Sequence, residues 1–228
     1  MKKAYRVLFF TMAVLVLLAV LFFAYLTVET GLLKDVSHLE NADLNSLVPQ
    51  SVKVEGIPLY TQPDPYSCGI TTISILVSLC TGQDLPPLDL IEKYDLPGGM
   101  NDDTFVDILA RELPEYRVDY RHGLSDGEMI GLIHGQLQRG LPVPVFFSAA
   151  NPHNEPYYDF HASLVNGIDL VNQQIHIINV YGYEEQIELV EFLNRMSYRP
   201  TKNFPLVQRI VLKLGFIDKN SIFLLTKK

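Results

Sequence analysis

Gln62-Pro63-Asp64-Pro65-Tyr66-Ser67-Cys68-Gly69 decides the reading of this chain, because a proline-punctuated turn sets a glutamine six residues ahead of a cysteine that opens an apolar run. Ile73, Leu76, Val77 and Cys80 recur at i, i+3, i+4 and i+7, so the run is expected to be a helix beginning at Cys68. A thiol at a helix N-terminus meets unsatisfied backbone N–H groups and the positive end of the macrodipole, which favour the thiolate and lower its pKa. A glutamine amide returning over the same point is a donor for an oxyanion, a role worth roughly 3 kcal/mol of barrier. The stretch therefore suits nucleophilic chemistry at a carbonyl, with Cys68 as nucleophile and Gln62 beside it.

A cysteine nucleophile needs a base within hydrogen-bond reach, and the base needs a third group to hold its ring. Six histidines are available. His38 lies in a polar N-terminal stretch, His122 and His134 in a helical region, and His153 in the loop composition Asn151-Pro152-His153-Asn154, while His176 alternates with apolar residues as the outward face of a strand. His161 opens the strand-like run Phe160-His161-Ala162-Ser163-Leu164-Val165-Asn166-Gly167-Ile168-Asp169. Asn179 ends the next run, Ile177-Ile178-Asn179, ahead of Val180-Tyr181-Gly182. An amide oxygen at a strand end beside the histidine strand can accept from the imidazole N–H. A strand histidine alone is commonly structural, and an asparagine after a strand is commonly a turn residue. The order Gln, Cys, His, Asn along the chain is what joins them.

In that order the chain resembles the papain-fold cysteine peptidases related to the double-glycine leader peptidases of bacteriocin export. The resemblance rests on Gln-x5-Cys-Gly, then His-Ala-Ser-Leu-Val-Asn-Gly-Ile-Asp, then Ile-Ile-Asn-Val-Tyr-Gly, over residues 56–196. It implies a papain-like α+β fold, Cys68 as nucleophile, His161 as base and later acid, Asn179 as orienter, and Gln62 in an oxyanion hole with the Cys68 N–H. It also implies a peptide or protein substrate and chemistry that requires no metal or organic cofactor. Two departures stand out. Asn179-Val180 occupies the place where the family usually carries Asp-Pro, and an amide supplies less charge to an imidazolium than a carboxylate does. The transporter-linked members present their peptidase domain to the cytoplasm beside a multi-span exporter, whereas this chain has one apolar span. Hydrolysis is the expected reaction; a transpeptidase or acyltransferase would use the same triad, and a domain that kept the fold without catalysis would be a binding module.

Upstream, Met1-Lys2-Lys3-Ala4-Tyr5-Arg6 precedes residues 7–28, which carry no charge, proline or glycine. At about 1.5 Å per residue this run covers a bilayer core of about 30 Å. Basic residues lie before it and none follows until Lys34, so the positive-inside bias places the N-terminus in the cytoplasm and the domain outside. A secretory signal would have a shorter apolar region ending in a small-x-small site, whereas this run closes with Phe23-Ala24-Tyr25-Leu26-Thr27-Val28. The expected division is a cytoplasmic stub over 1–6, an uncleaved transmembrane anchor over 7–28, a tether over 29–55 with a helical turn near 39–47, and an extracytoplasmic peptidase-like domain over 56–228, single-pass at the cell membrane.

From Glu29 onward 15 Lys and Arg stand against 26 Asp and Glu, a formal charge of −11. That balance argues against nucleic acid and against the domain lying flat on anionic lipid, leaving the N-terminal helix as the expected lipid contact. The two cysteines cannot pair if one helix carries both, since twelve helical residues separate their Cα atoms by about 18 Å, far beyond the ~7 Å limit for a disulfide. Cys80 then reads as a small core residue.

Asn101-Asp102-Asp103 ahead of Phe105, Ile108 and Leu109 marks a capped helix, and Ser125-Asp126-Gly127-Glu128 is a capping box leading into Ile130, Ile133 and Leu137. The first half of the domain thus reads as helical. Past Gly140 come strands over 143–149, 160–168, 174–180 and 221–226, with helices over 184–196 and 205–214; Glu184 and Glu185 would sit at the favourable end of the first helix dipole and Pro205 near N1 of the second. Helices first and an antiparallel sheet later is an α+β plan. Pro97-Gly98-Gly99 looks like a double-glycine cleavage site but is explained by a turn before the Asn101 cap. His153, Asp159 and His161 could be drawn as a metal cluster, yet their spacing lacks a recurring ligand pattern. Tyr157-Tyr158-Asp159-Phe160 leads into the base and is expected at a cleft wall or in the core.

Overall fold

The computed structural model describes residues 2–27, 43–96, 99–150 and 157–228. Val28, most of the expected tether, Pro97-Gly98, His38 and His153 lie outside the described residues. Helix α1 (Lys2–Thr27) holds the apolar run; its segment Val7–Tyr25 has a mean hydropathy of 3.0 and is long and apolar enough to cross a membrane. The strands that follow are β1 (Ser51–Lys53), β2 (Tyr116–Arg121), β3 (Val143–Ala150), β4 (Tyr158–Asp169), β5 (Gln174–Asn179), β6 (Tyr183–Glu188) and β7 (Ser221–Lys227). The further helices are α2 (Cys68–Thr81), α3 (Pro87–Tyr94), α4 (Asp102–Glu112), α5 (Asp126–Leu137), α6 (Leu189–Met196) and α7 (Leu206–Lys213).

Every strand pair is antiparallel, in the order β2-β7-β3-β4-β5-β6, with β1 pairing β4 beyond the end of β3. Both faces of the sheet are covered, which is why β3 and β4 are buried along nearly their whole length instead of alternating. On one face α5 and α6 pack Met129, Ile133, Phe192 and Leu193 over Val145, Val165, Ile175 and Ile177. On the other, α2, α3 and α4 pack Ile73, Leu76, Leu90, Phe105 and Leu109 over Leu164, Ile178, Phe223 and Leu225. A third cluster, Tyr198, Phe204 and Leu212, seats α7 against Tyr158 and Phe160 at the start of β4.

The expected α+β class is found, and local signals placed most elements. The Asn101 side chain accepts from the Thr104 N–H and Ser125 from the Glu128 N–H, so both capped helices begin where the sequence indicated. Three differences have physical causes. The first half of the domain is not wholly helical: Tyr116, Val118 and Tyr120 alternate against Arg117, Asp119 and Arg121, and this alternation makes β2, an edge strand on β7. The expected helix over 184–196 begins only at Leu189, because residues 183–188 extend the sheet as β6, where Glu184 meets the Lys53 ammonium at 2.7 Å and Glu185 meets Arg195. Pro205 stands at the N-cap of α7, one residue before the position expected for it. Within the stretch read as tether, Ser51–Lys53 pairs with β4, while His134 Nε2 hydrogen-bonds Pro49 O at 2.8 Å. Leu44 and Leu47 also pack onto the core beneath α5.

Candidate active site

Cys68 is the first residue of α2, and the loop before it is organised by Asp64. The Asp64 carboxylate accepts from the Tyr66 N–H at 2.7 Å, and the Asp64 carbonyl accepts from the Ser67 hydroxyl at 3.1 Å and from Gln62 Nε2 at 2.8 Å. This local network turns the chain into α2 and is legible in the Pro-Asp-Pro spacing. The helix is buried from Gly69 to Ser78, and the nucleophile candidate stands at its N-terminal end, where α2 meets a cleft. Cys68 itself is half-buried, and Cys68 and Cys80 are both free thiols.

The histidine is positioned by a bulge. Next to the β4–β5 turn the register runs Gly167↔His176, Ile168↔Ile175 and Asp169↔Gln174, but past the bulge it runs Val165↔Ile177 and Leu164↔Ile178, a shift of one residue. A one-residue shift exchanges the two faces of a strand. Continued along β4, the shifted register sets Tyr181 opposite His161 and Asn179 on the diagonal, and both make contact. The His161 and Tyr181 rings stack at 4.3 Å between centroids and 15° between planes, while His161 Nε2 lies 3.0 Å from Asn179 Oδ1. Tyr181 is held by a bridge to Thr61, and the Gln62 N–H donates to Val180 O at 2.7 Å, so the glutamine loop is tied to the segment that carries the histidine's partners. Gly182 follows at φ 97°, where a Cβ would press on the Thr61 hydroxyl; only glycine fits this turn.

The Asn179 amide has one orientation. Its Oδ1 accepts from the Tyr181 N–H at 3.1 Å as well as facing His161, and its Nδ2 donates to Glu185 Oε1 at 2.9 Å and toward the Tyr183 hydroxyl at 3.4 Å. Glu185 is paired in turn with Arg195, which also binds Glu191. Because Asn179 Oδ1 only accepts, His161 Nε2 carries the hydrogen and Nδ1 keeps a free lone pair.

Cys68, His161 and Tyr181 line one cleft of about 750 Å³, whose walls also include Met100, Phe160 and Tyr198. Burial dominates the electrostatics. His161 is 4 % exposed, and desolvation holds its pKa down at about 4, although the Asn179 hydrogen bond acts in the opposite direction. Burial likewise pushes the Cys68 thiol up, outweighing the backbone N–H groups of Ala162, Gly69 and Cys68 itself that favour the thiolate. Desolvation thus acts on the Cys68 thiol against the helix terminus, from which a lowered pKa is expected, and at His161 it favours the neutral ring.

Of the four residues singled out from sequence, Cys68 and His161 share the cleft and Asn179 holds His161. Gln62 stands apart: Nε2 is engaged by Asp64 O, Oε1 is buried without a protein partner, and the side chain is not part of the cleft wall. Cys80 packs at the edge of the α2 core, as expected. His134 is bound to Pro49, and His122 and His176 lie near Asp218 and Glu184. Asp159 and Phe160 reach the cleft, while Phe160 and Tyr158 also pack on Phe204. No group of three His, Cys, Asp or Glu side chains converges in metal-binding geometry among the described residues. Sequence reasoning missed Tyr181 and Glu185. Tyr181 lies two residues past Asn179, and a strand alternation carried on from Asn179 would have found it. Glu185 suits a helix N-terminus by local chemistry and gives no signal of its role at the site.

These features define an α+β domain with a cysteine and a histidine on one cleft and a buried asparagine bonded to the histidine. Among solved structures the chain is similar to a C39-like peptidase from Bacillus anthracis, at 12 % identity over 78 % of this chain and 98 % of that one with a TM-score of 0.51. It is also similar to a double-glycine motif protease from an AMS/PCAT transporter in complex with the leader peptide, at 11 % identity, 78 % and 95 % coverage and a TM-score of 0.49. The peptidase domain of Streptococcus ComA, a bifunctional ABC transporter involved in a quorum sensing pathway, follows at 14 % identity, 75 % and 98 % coverage and a TM-score of 0.47. At these identities the likeness is one of fold, and it lies with the C39-like peptidases that the sequence motifs resemble. No family profile and no curated protein matches the chain.

Proposed function

We propose that this chain is a membrane-anchored, extracytoplasmic cysteine peptidase of papain-like fold, with Cys68 as nucleophile, His161 as base and acid, and Asn179 as the residue that orients the imidazole. The observation that carries the reading is the His161–Asn179 contact of 3.0 Å beside the cleft that Cys68 enters from the start of α2. Among the described residues one helix, α1, is long and apolar enough to cross a membrane, and with its basic N-terminal flank it supports the anchor and its orientation.

With the Nε2 hydrogen committed to Asn179, Nδ1 takes the thiol proton as sulfur attacks the peptide carbonyl carbon. Starting from neutral partners, proton transfer accompanies attack instead of preceding it. The oxyanion is held by the Cys68 backbone N–H and by Gln62, whose amide turns away from Asp64 O to reach it; the unpartnered Oε1 offers little resistance to that turn. His161 then gives its proton to the leaving amine. Water, deprotonated at Nδ1, attacks the acyl-enzyme, and the returning proton restores the thiol. The charge of Asp159 and the Asn179 hydrogen bond favour the imidazolium formed in each step, while Glu185 accepts from Asn179 Nδ2 and so keeps Oδ1 turned to the ring.

The raised thiol pKa favours a second reading, a papain-fold binding module in which Cys68 is inert. Incubation of the full chain with a peptide library, followed by mass spectrometry, separates the two. Cleavage abolished by both Cys68→Ala and His161→Ala is expected; cleavage indifferent to Cys68→Ala, or none at all, overturns the peptidase. Products joined to an added amine instead of water would mark a transpeptidase.

A further inference from the structure

The acidic balance of the domain conceals one stretch of opposite character. Between Glu191 and Asp218 there is no acidic residue, while Arg195, Arg199, Lys202, Arg209 and Lys213 all fall within it. Arg195 turns inward to Glu185, but Lys202, Arg209 and Lys213 lie on α7 or on the turn that leads into it. Arg209 ties that turn to the helix by donating to Phe204 O at 2.7 Å and to Lys202 O.

Helix α7 is also apolar on its outer side. Leu212 buries the inner face with Tyr198 and Phe204, whereas Leu206 and Val207 are 52 % and 71 % exposed, and Leu214 and Phe216 just beyond the helix are 48 % and 73 % exposed. Positions 206, 207, 210 and 214 fall on one helical stripe. Exposed leucine, valine and phenylalanine flanked by lysine and arginine is the composition of an element that lies in a lipid interface, its apolar side sunk about 5–10 Å into the headgroup boundary. A further contact gives the occupant. The Lys213 ammonium donates to Tyr25 O at 2.6 Å and stands 5.4 Å over the Tyr25 ring, and Tyr25 is the residue that closes the apolar span of α1. Tyrosine at the end of a span marks the headgroup level, so the structure holds α7 at that level.

We propose that α7 and residues 214–217 form a membrane-docking face that rests on the anionic lipid around α1. Local charge thereby reverses, for this one face, the exclusion that the domain's net charge suggests. The inference rests on α1 acting as an anchor and adds an orientation. Pro205, Gln208, Phe216 and Ile217 border the cleft that holds Cys68 and His161, so docking turns that cleft toward the bilayer. The substrate class is then polypeptide emerging from the same membrane, close to its point of exit, in preference to peptides free in solution.

The chain contains no tryptophan, so a single indole reports its own surroundings. Phe216→Trp and, separately, Val207→Trp in the full chain, reconstituted in phosphatidylcholine with a minority of phosphatidylglycerol, should emit to the blue and lose most of their intensity to shallow doxyl-labelled lipid. Val171→Trp, 71 % exposed in the turn beyond β4, is the control. It sits at the opposite end of a strand about 36 Å long from the cluster that seats α7, and should keep its emission. Combining Lys202→Glu with Lys213→Glu should restore much of the intensity at position 216 or 207. Quenching at both no greater than at 171, or a response only to added peptide, overturns the docking face while leaving anchor and peptidase intact. Release of the chain by alkaline carbonate removes the anchor, and this inference with it. Cys68-dependent cleavage in detergent reports the peptidase independently of both.

Discussion

Replacing His161 by glutamine should make the folded domain less sensitive to acid, and the size of the effect follows from burial. The ring is 4 % exposed and its pKa is held at about 4, against an ordinary value of 6.5, because desolvation disfavours the imidazolium. Between these values the unfolded chain binds a proton that the folded chain refuses, so stability falls as pH falls from about 6.5 toward 4 and changes no further below it. At 1.36 kcal/mol per pH unit the loss attributable to His161 approaches about 3 kcal/mol. Glutamine keeps a donor for Asn179 Oδ1 and cannot titrate. Thermal unfolding of the full chain in nanodiscs, followed by near-ultraviolet circular dichroism from neutral pH to about pH 4, should therefore show a smaller acid-induced fall in Tm for His161→Gln. For a domain of this size the difference is about 6–12 °C. Other buried groups, such as Asp102 with its carboxyl raised by desolvation, titrate in both proteins and cancel. Parallel curves would refute the reasoning, because they would require an imidazole that is solvated or already charged in the fold.

The remaining expectations concern the same cleft. Alkylation of Cys68 by iodoacetamide, resolved by mass spectrometry, should rise with pH along a curve displaced above that of an ordinary thiol, since burial raises this one; fast labelling well below pH 8 that collapses in His161→Ala would instead establish a resting ion pair. Asn179→Asp should destabilise the domain by setting a carboxylate where Glu185 Oε1 lies 2.9 Å from the amide, whereas Asn179→Asp combined with Glu185→Gln should recover much of the loss. A double-mutant cycle on unfolding free energy is expected to give a coupling of about 1–3 kcal/mol, and additive effects would show that Glu185 does not hold the Asn179 amide.

Much of the fold was legible because its signals are local. A cap is satisfied within three residues, so Asn101 and Ser125 announced α4 and α5; the turn around Asp64 likewise announced the start of α2 at Cys68. Buried β-rich runs announced β3, β4, β5 and β7. Elements whose identity depends on a neighbour were lost. Glu184 and Glu185 suit a helix N-terminus equally well by local chemistry, and only Lys53 on β1 and Arg195 on α6, brought together by folding, make them the charged residues of an edge strand.

The α+β class and the apolar helix at the N-terminus were legible in the chain alone, and the order of its motifs singled out Cys68, His161, Asn179 and Gln62, of which the first two line the cleft. Each follows from composition, period or chain order, which are properties of the chain before it folds. Tertiary structure decided the rest. A one-residue bulge in β4 chose the face on which His161 meets Tyr181 and Asn179, and a strand pairing brought Glu185 to fix the asparagine amide. Enclosure in the cleft opposes the charged forms of both cysteine and histidine, because desolvation depends on everything packed around a group and no local pattern encodes it.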